Sequence, residues 1–483
     1  MYKLILPVLF VNFFLTSQET FTLVKTDPNQ IILDGIIDPD EWSNAIEIDF
    51  DIEFSPANNL PSRKKTTAYM TYSDRYLFLS IYAKDDPNNI RVALRQRDGN
   101  IWNDDLILLR LDPYTDARNN LGIAVNALGS QFDFREINSV TDDGRYDSSF
   151  NVNFQSSGKI VDDGYQIEIK IPFSEIPFPN GKNQLWHFNL TRRYIENGNE
   201  IQFSTQPRDR DNNCVICQTT DKLVLNNIVI DRRLELLPYI SSNITGNRSE
   251  PDNKLIYTKP KLNVGLGLNL DINKNSSFEL TVNPDFSQVE ADVTQIDINS
   301  SFSLEYPERR PFFNRGTDIV KFTNGAFYSR SIVNPIVASK LLSQRKKSRI
   351  FLLNALDKNS PYLVGGEDRS YIGEGGRSFV NVLRFQSLLN PKSRLGGLMT
   401  NRIYDAGGYG HLLGFDGFFI LNKKWSVNFE LLKNLNKEPS QNWITTTESI
   451  LGNTIQLDGE KLDGEAFYLQ FLRRTEHWNS FFF

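Results

Sequence analysis

Trp102 stands in the run Arg97-Asp98-Gly99-Asn100-Ile101-Trp102-Asn103-Asp104-Asp105, beside a guanidinium, an amide and two carboxylates. A pyranose needs both kinds of group: an aromatic face for its apolar C–H side, and polar or charged groups for its hydroxyl rim. Trp102, Arg97, Asn103, Asp104 and Asp105 are therefore the candidate binding group, with Tyr72 as a further aromatic candidate. Packing is the competing reading for the aromatics. Tyr72 lies in a run that reads as sheet, and Trp42, near Ile36, Ile37 and Ile46, reads as core. Glycosidic hydrolysis needs two facing carboxylates at a set separation, and the many acids here single out no pair. Gly-x-Ser-x-Gly, His-Glu-x-x-His and Walker-type motifs are absent, and His187, His411 and His477 are scattered.

The elements that must position these groups alternate with period two. Tyr69 to Thr71, Tyr76 to Tyr82, Leu106 to Leu111, Tyr165 to Phe173, Trp186 to Leu190 and Glu200 to Ser204 read as strands. Between them lie turn formers such as Asp85-Asp86-Pro87-Asn88, Asp162-Asp163-Gly164 and Pro179-Asn180-Gly181. Short strands punctuated in this way predict a β-sandwich. Helical signal is confined to a short turn at Pro39-Asp40-Glu41-Trp42.

The texture changes near Asp231. Leu262, Val264, Leu266, Leu268 and Leu270 alternate with small or polar residues, as do Trp425, Val427, Phe429 and Leu431, and Phe467, Leu469 and Phe471. Looser versions cover 234–243, 278–284, 349–357, 376–388, 394–404 and 411–421. Strands of about ten residues, apolar outward and polar inward, suit a transmembrane β-barrel. A soluble antiparallel sheet with one wet face alternates equally well.

Composition and the N-terminus weigh on that choice. The chain has 483 residues, net charge −6, 40% hydrophobic residues, 34 Phe and 18 Tyr. The mild acidity speaks against a nucleic-acid partner. No apolar run after the N-terminus reaches the roughly 18 residues of a membrane helix. Met1-Tyr2-Lys3, the apolar run Leu4 to Leu15 and Thr16-Ser17-Gln18 read as a secretory signal over residues 1–18. In an exported chain, Cys214 and Cys217 are expected to close a small disulfide loop. Export and the shortage of helices to cover a sheet favour the barrel. The expected architecture is all-β: a sandwich over 19–230, then an antiparallel barrel-type domain over 231–483.

Three phrases sharpen the first domain: Leu33-Asp34-Gly35-Ile36-Ile37-Asp38-Pro39-Asp40-Glu41-Trp42, the Arg97–Asp105 run, and Gly164-Tyr165-Gln166-Ile167-Glu168-Ile169-Lys170-Ile171-Pro172-Phe173. In this order and spacing they resemble the carbohydrate-binding module family 9-like domain over about residues 30–228. The resemblance implies a sandwich that binds a carbohydrate. It also implies a structural calcium, for which Asp112 and Asp116 are oxygen-ligand candidates. Such modules ride on glycoside hydrolases, so hydrolysis of glycosidic bonds is the alternative activity. An envelope assembly role is a third reading.

The second domain reads Asn283-Pro284-Asp285-Phe286-Ser287-Gln288-Val289-Glu290-Ala291-Asp292, then Tyr306-Pro307-Glu308-Arg309-Arg310-Pro311-Phe312-Phe313. This resembles the uncharacterised outer-membrane barrel domain that follows such modules in exported proteins of Bacteroidetes-type bacteria. Glu308, Arg309 and Arg310 sit between two prolines, which bars a central strand. The segment is expected to fold into the lumen as a plug or to latch the module to the barrel. About ten or eleven strands fit after Asp231, fewer than a closed even-stranded barrel of this kind needs, so the domain is expected to continue beyond Phe483. The resemblance places the barrel in the outer-membrane bilayer, with the sandwich on the periplasmic side.

Overall fold

The computed structural model describes residues 19–117, 119–137, 146–147, 152–179, 181–212, 214–228, 234–248, 254–273, 275–284, 308, 310–345, 347–365, 370–374, 376–390, 393–439, 459, 461–475 and 477–482. The signal reading at 1–18 and the motif residues Asp285, Phe286 and Arg309 lie outside the described residues.

The chain is all-β, in two parts. The first is a sandwich. Its five-stranded sheet runs Gln155–Val161, Gly164–Pro172, Tyr76–Lys84, Thr66–Tyr72, Ile46–Asp49. The path of its ten-stranded sheet begins Tyr146–Asp147, Gln131–Ile137, Asn119–Asn126, Leu106–Asp112, Gln184–Glu196, Asn199–Ser204. Each strand predicted in this half falls inside one of these, except that Phe173 opens a short helical turn after Pro172. Alternation explains the core: Leu77, Leu79 and Ile81 face the same way as Ile171, Ile169 and Ile167 across the ladder. They pack against Ile107, Leu109, Leu111, Trp186, Phe188 and Leu190 of the other sheet, all buried.

The second part is an eleven-stranded antiparallel sheet in strict sequence order from Leu234–Asn243 to Asn479–Phe482, apart from two small side hairpins. Its length agrees with the ten or eleven strands expected. Among the described residues, Leu234–Asn243 and Asn479–Phe482 are its two edges. Its hairpins are unequal at the two ends. At one end strands are joined through 274–275, 346–347, 391–392, 421–424 and 475–478. At the other, 244–260, 283–334, 358–377 and 438–460 intervene, with one short turn at 405–408.

The polarity of this sheet is inverted relative to a soluble one. On Ser378–Asn390, Phe379, Leu383 and Phe385 are 44%, 40% and 48% exposed, while Arg384 on the opposite face is 0% exposed. Leu413, Phe415, Leu431, Leu435, Phe467 and Phe471 continue the exposed apolar face. Glu279, Lys340, Arg349, Asp416, Glu430 and Gln470 are buried on the polar one. What buries them is the stretch 310–334, with helical turns Pro311–Asn314 and Thr317–Val320. Phe313, Ile319, Val320 and Phe322 of this stretch pack on Leu342, Phe351, Leu353, Val382 and Leu398. No helix among the described residues is long and apolar enough to cross a membrane, which says nothing of strands.

Candidate functional site

Trp102 sits just before Leu106–Asp112 and lies over the outer face of the ten-stranded sheet, half-buried. Phe132 meets its ring edge-on at 5.3 Å and Phe134 at 5.9 Å. Tyr146 meets Phe134 edge-on at 5.2 Å. Gly122 makes this stack possible: a Cβ there would meet the Phe134 ring at 2.4 Å. The Arg193 guanidinium lies 5.9 Å over the Trp102 ring. Its Nη2 donates to Glu200 at 2.6 Å, while its Nη1 is buried and has no partner among the described residues. An aromatic surface with a cationic group beside it is the equipment for a sugar ring and its hydroxyls.

The other sequence candidates separate from Trp102. Asn103 is exposed next to it. Arg97 turns to buried Asp133 at 2.6 Å and to Gln131 at 2.9 Å. Burial pushes the Asp133 carboxyl up to about 6, against the pull of Arg97. Asp104 is buried, held by Arg95 at 3.0 Å and Asn126 at 3.0 Å. Asp105 is buried near Arg192, and burial pushes it up to about 7. Arg192 itself is fully buried, on Asp85 at 2.5 Å and Thr66 at 2.9 Å. Tyr72 is a core residue; its hydroxyl donates to Asn226 O at 2.8 Å and accepts from Asn226 N–H at 3.1 Å. These acids and Tyr72 therefore build the sandwich: Asp104 and Asp133 are taken up by Arg95, Asn126 and Arg97, and Asp105 and Tyr72 are buried.

Arg193, Phe132, Phe134 and Tyr146 escaped the sequence reading. They arrive from strands far along the chain, and the only local trace is the i, i+2 spacing of Phe132 and Phe134.

The other two phrases of the first domain meet each other. Glu168 Oε2 accepts from the N–H groups of Asp34 at 3.0 Å and Gly35 at 2.9 Å. Its Oε1 accepts from Trp42 Nε1 at 3.1 Å. Gln166 accepts from Ile37 N–H at 2.8 Å. Gly35 has φ +87°, the left-handed region open to glycine. The motif thus pins the 33–42 segment over the five-stranded sheet, and Trp42 is buried with Ile31 and Phe78, as its apolar neighbours predicted.

Cys214 and Cys217 form a disulfide. Asp112 is buried and accepts from Ala117 N–H at 2.9 Å, closing its turn; Asp116 is buried as well. Among the described residues no three His, Cys, Asp or Glu side chains gather as calcium ligands would.

The second motif is a set of clasps on the long sheet. Asn283 donates through Nδ2 to Val264 O at 2.8 Å and through N–H to Ile336 O at 2.7 Å, and its carbonyl accepts from the Tyr239 hydroxyl. Pro284 follows it where the strand ends. Arg310 pairs with Glu308 at 2.7 Å and donates to the carbonyls of Ile332 at 2.6 Å and Ser329 at 3.0 Å. This closes the base of the 310–334 stretch. Further in, Lys340 donates to Phe312 O, and Arg384 donates to Ile319 O at 2.8 Å. Glu430 accepts from Thr323 N–H at 2.6 Å and Asn324 N–H at 3.1 Å. The charged residues on the polar face are thus the receptors of this stretch.

The two parts meet at the short-turn end of the sheet. Tyr114 donates to Asn275 at 3.4 Å, Lys423 pairs with Asp209 at 2.9 Å, and Lys424 with Asp211 at 3.3 Å. Arg135 of the sandwich and Arg349 of the sheet both bind Asp318.

Residues 231–356 match the family described as "Domain of unknown function (DUF5916)". No curated protein matches the chain. A carbohydrate-binding module family 9 from Caldicellulosiruptor kristjanssonii, solved with cellotriose, superposes at 14% identity and TM-score 0.30, over 44% of this chain and 95% of the other. A protein from Bacteroides uniformis ATCC 8492, described as a "putative carbohydrate-binding protein", superposes at 12% identity and TM-score 0.33, over 43% of this chain and 99% of the other.

Proposed function

We propose that this chain is a carbohydrate-binding outer-membrane protein. Its long sheet belongs to a barrel whose apolar face meets lipid, the 310–334 stretch is a plug on the inner face, and the sandwich stands in the periplasm. The observation that carries this reading is the inverted polarity of the sheet. A soluble antiparallel sheet covers its apolar face and wets its polar one. Here Leu413 is 56% exposed and Phe467 66%, while Lys340 and Arg384 on the opposite face are 1% and 0% exposed. Charge inside a barrel is tolerated and charge on the lipid face is costly. The unequal hairpins support the orientation, since short turns mark the periplasmic end of such barrels and the sandwich touches that end.

Carbohydrate binding rests on Trp102 with its aromatic support and the Arg193 guanidinium over its ring. The test uses the whole protein reconstituted into phosphatidylcholine vesicles. The reading expects flotation with the vesicles after a carbonate wash, and oligosaccharide binding on a glycan array that Trp102→Ala reduces at least about tenfold. Protein left in the wash would overturn the membrane half. Array binding unchanged in Trp102→Ala would overturn the placement of the sugar site.

A further inference from the structure

We propose that the sandwich locks the plug, and that Asp318 is the bolt. The proposal rests on the plugged-sheet reading and adds how the plug is held. Asp318 lies in the helical turn Thr317–Val320. Its side chain is 0% exposed and sits between two guanidinium groups, each 8% exposed. One is Arg349, at the short-turn end of Ser348–Asp357. The other is Arg135, from the sandwich strand Gln131–Ile137, 183 residues away in sequence. The clasps made by Lys340, Arg384 and Glu430 tie the plug to the sheet that surrounds it. At Asp318 the sandwich also takes hold.

The other ion pairs described between the two parts are weaker anchors. Lys423–Asp209 and Lys424–Asp211 are exposed, and such pairs are screened by water and salt. A buried charge held by charged hydrogen bonds is costly to leave unpaired. With two arginines on one aspartate, removing Asp318 leaves two like charges facing each other, whereas removing Arg135 leaves a matched pair. Loss of Asp318 therefore loosens the plug more than loss of Arg135. The strand that carries the lock also carries Phe132 and Phe134 beneath Trp102, so the sugar face and the plug share one element.

The experiment is backbone amide hydrogen exchange of the whole protein in detergent micelles, read at residues 317–322. In Arg135→Ala, exchange there is expected to accelerate at least about tenfold, the effect of losing one charged hydrogen bond. Arg135→Lys is expected to keep protection close to wild type, and Asp318→Asn to accelerate exchange beyond Arg135→Ala. The strands Tyr76–Lys84 and Gly164–Pro172 serve as the folding control. Wild-type exchange at 317–322 in Arg135→Ala, with those strands intact, overturns the lock. If Arg135→Ala also loosens them, Asp318→Asn decides: fast exchange at 317–322 over an intact sandwich supports the lock, and wild-type exchange overturns it. Micelles require no bilayer, so failure of vesicle flotation sinks the membrane reading while the exchange result judges the lock separately.

Discussion

Arg97 and Arg193 show how two arginines near one tryptophan acquire different work. Arg97 neutralises Asp133, whose side chain is 0% exposed. Arg193 pairs with Glu200 and sets its guanidinium over the Trp102 ring. Arg97→Ala is expected to cost stability, about 1–3 kcal/mol for the stranded carboxylate, measured by urea unfolding with tryptophan fluorescence. Arg193→Ala is expected to leave the unfolding midpoint in place and to weaken oligosaccharide binding by calorimetry. The reverse pattern would move the site to the Arg97 side. Buried acids add a pH signature. Burial lifts Asp105 and Glu168 from 3.8 and 4.5 to about 7 in the folded state. The folded sandwich then holds protons that the unfolded chain releases, so their stabilising contribution is full below about pH 4 and is lost as pH rises through about 7. The sandwich transition is expected to melt higher at pH 5.5 than at pH 8. Asp105→Asn should flatten part of that slope, and an unchanged slope would argue against its titration.

At the scale of elements, alternation carried most of the fold. The strand Lys261–Asn273 was legible because leucine and valine alternate there with glycine, asparagine and aspartate. The strand Pro335–Arg345 was not. Its covered residues include Ala338 and Leu342 beside Lys340, because the apolar side of the 310–334 stretch packs on them. A polar face that receives such a stretch becomes partly apolar, and the period-two contrast fades. The exposed face keeps its character, which gives a direct test. Phe415 lies mid-strand on the apolar face, in register with Leu431 and Phe467, so Phe415→Arg is expected to destabilise the sheet by about 2–4 kcal/mol in lipid vesicles. The penalty should shrink in urea titrations of the protein in short-chain detergent. A cost equal in both media would point to packing rather than to lipid.

For the whole molecule, the sandwich at the short-turn end predicts its compartment. In intact cells, trypsin is expected to spare the sandwich; after the outer membrane is permeabilised, it should gain access to exposed basic sites such as Lys182 and Lys159. Cleavage in intact cells would reverse the orientation. The sequence alone determined that the chain is built of strands and that its texture changes near Asp231. Those properties are local: period and turn chemistry write them directly. The tertiary structure alone decided which residues surround Trp102, that Glu168 pins the Asp34-Gly35 turn, and that Asp318 joins the sandwich, the 310–334 stretch and the sheet. Each of these depends on strand order and register, which bring together side chains that are remote in the chain, and no local spacing encodes that meeting.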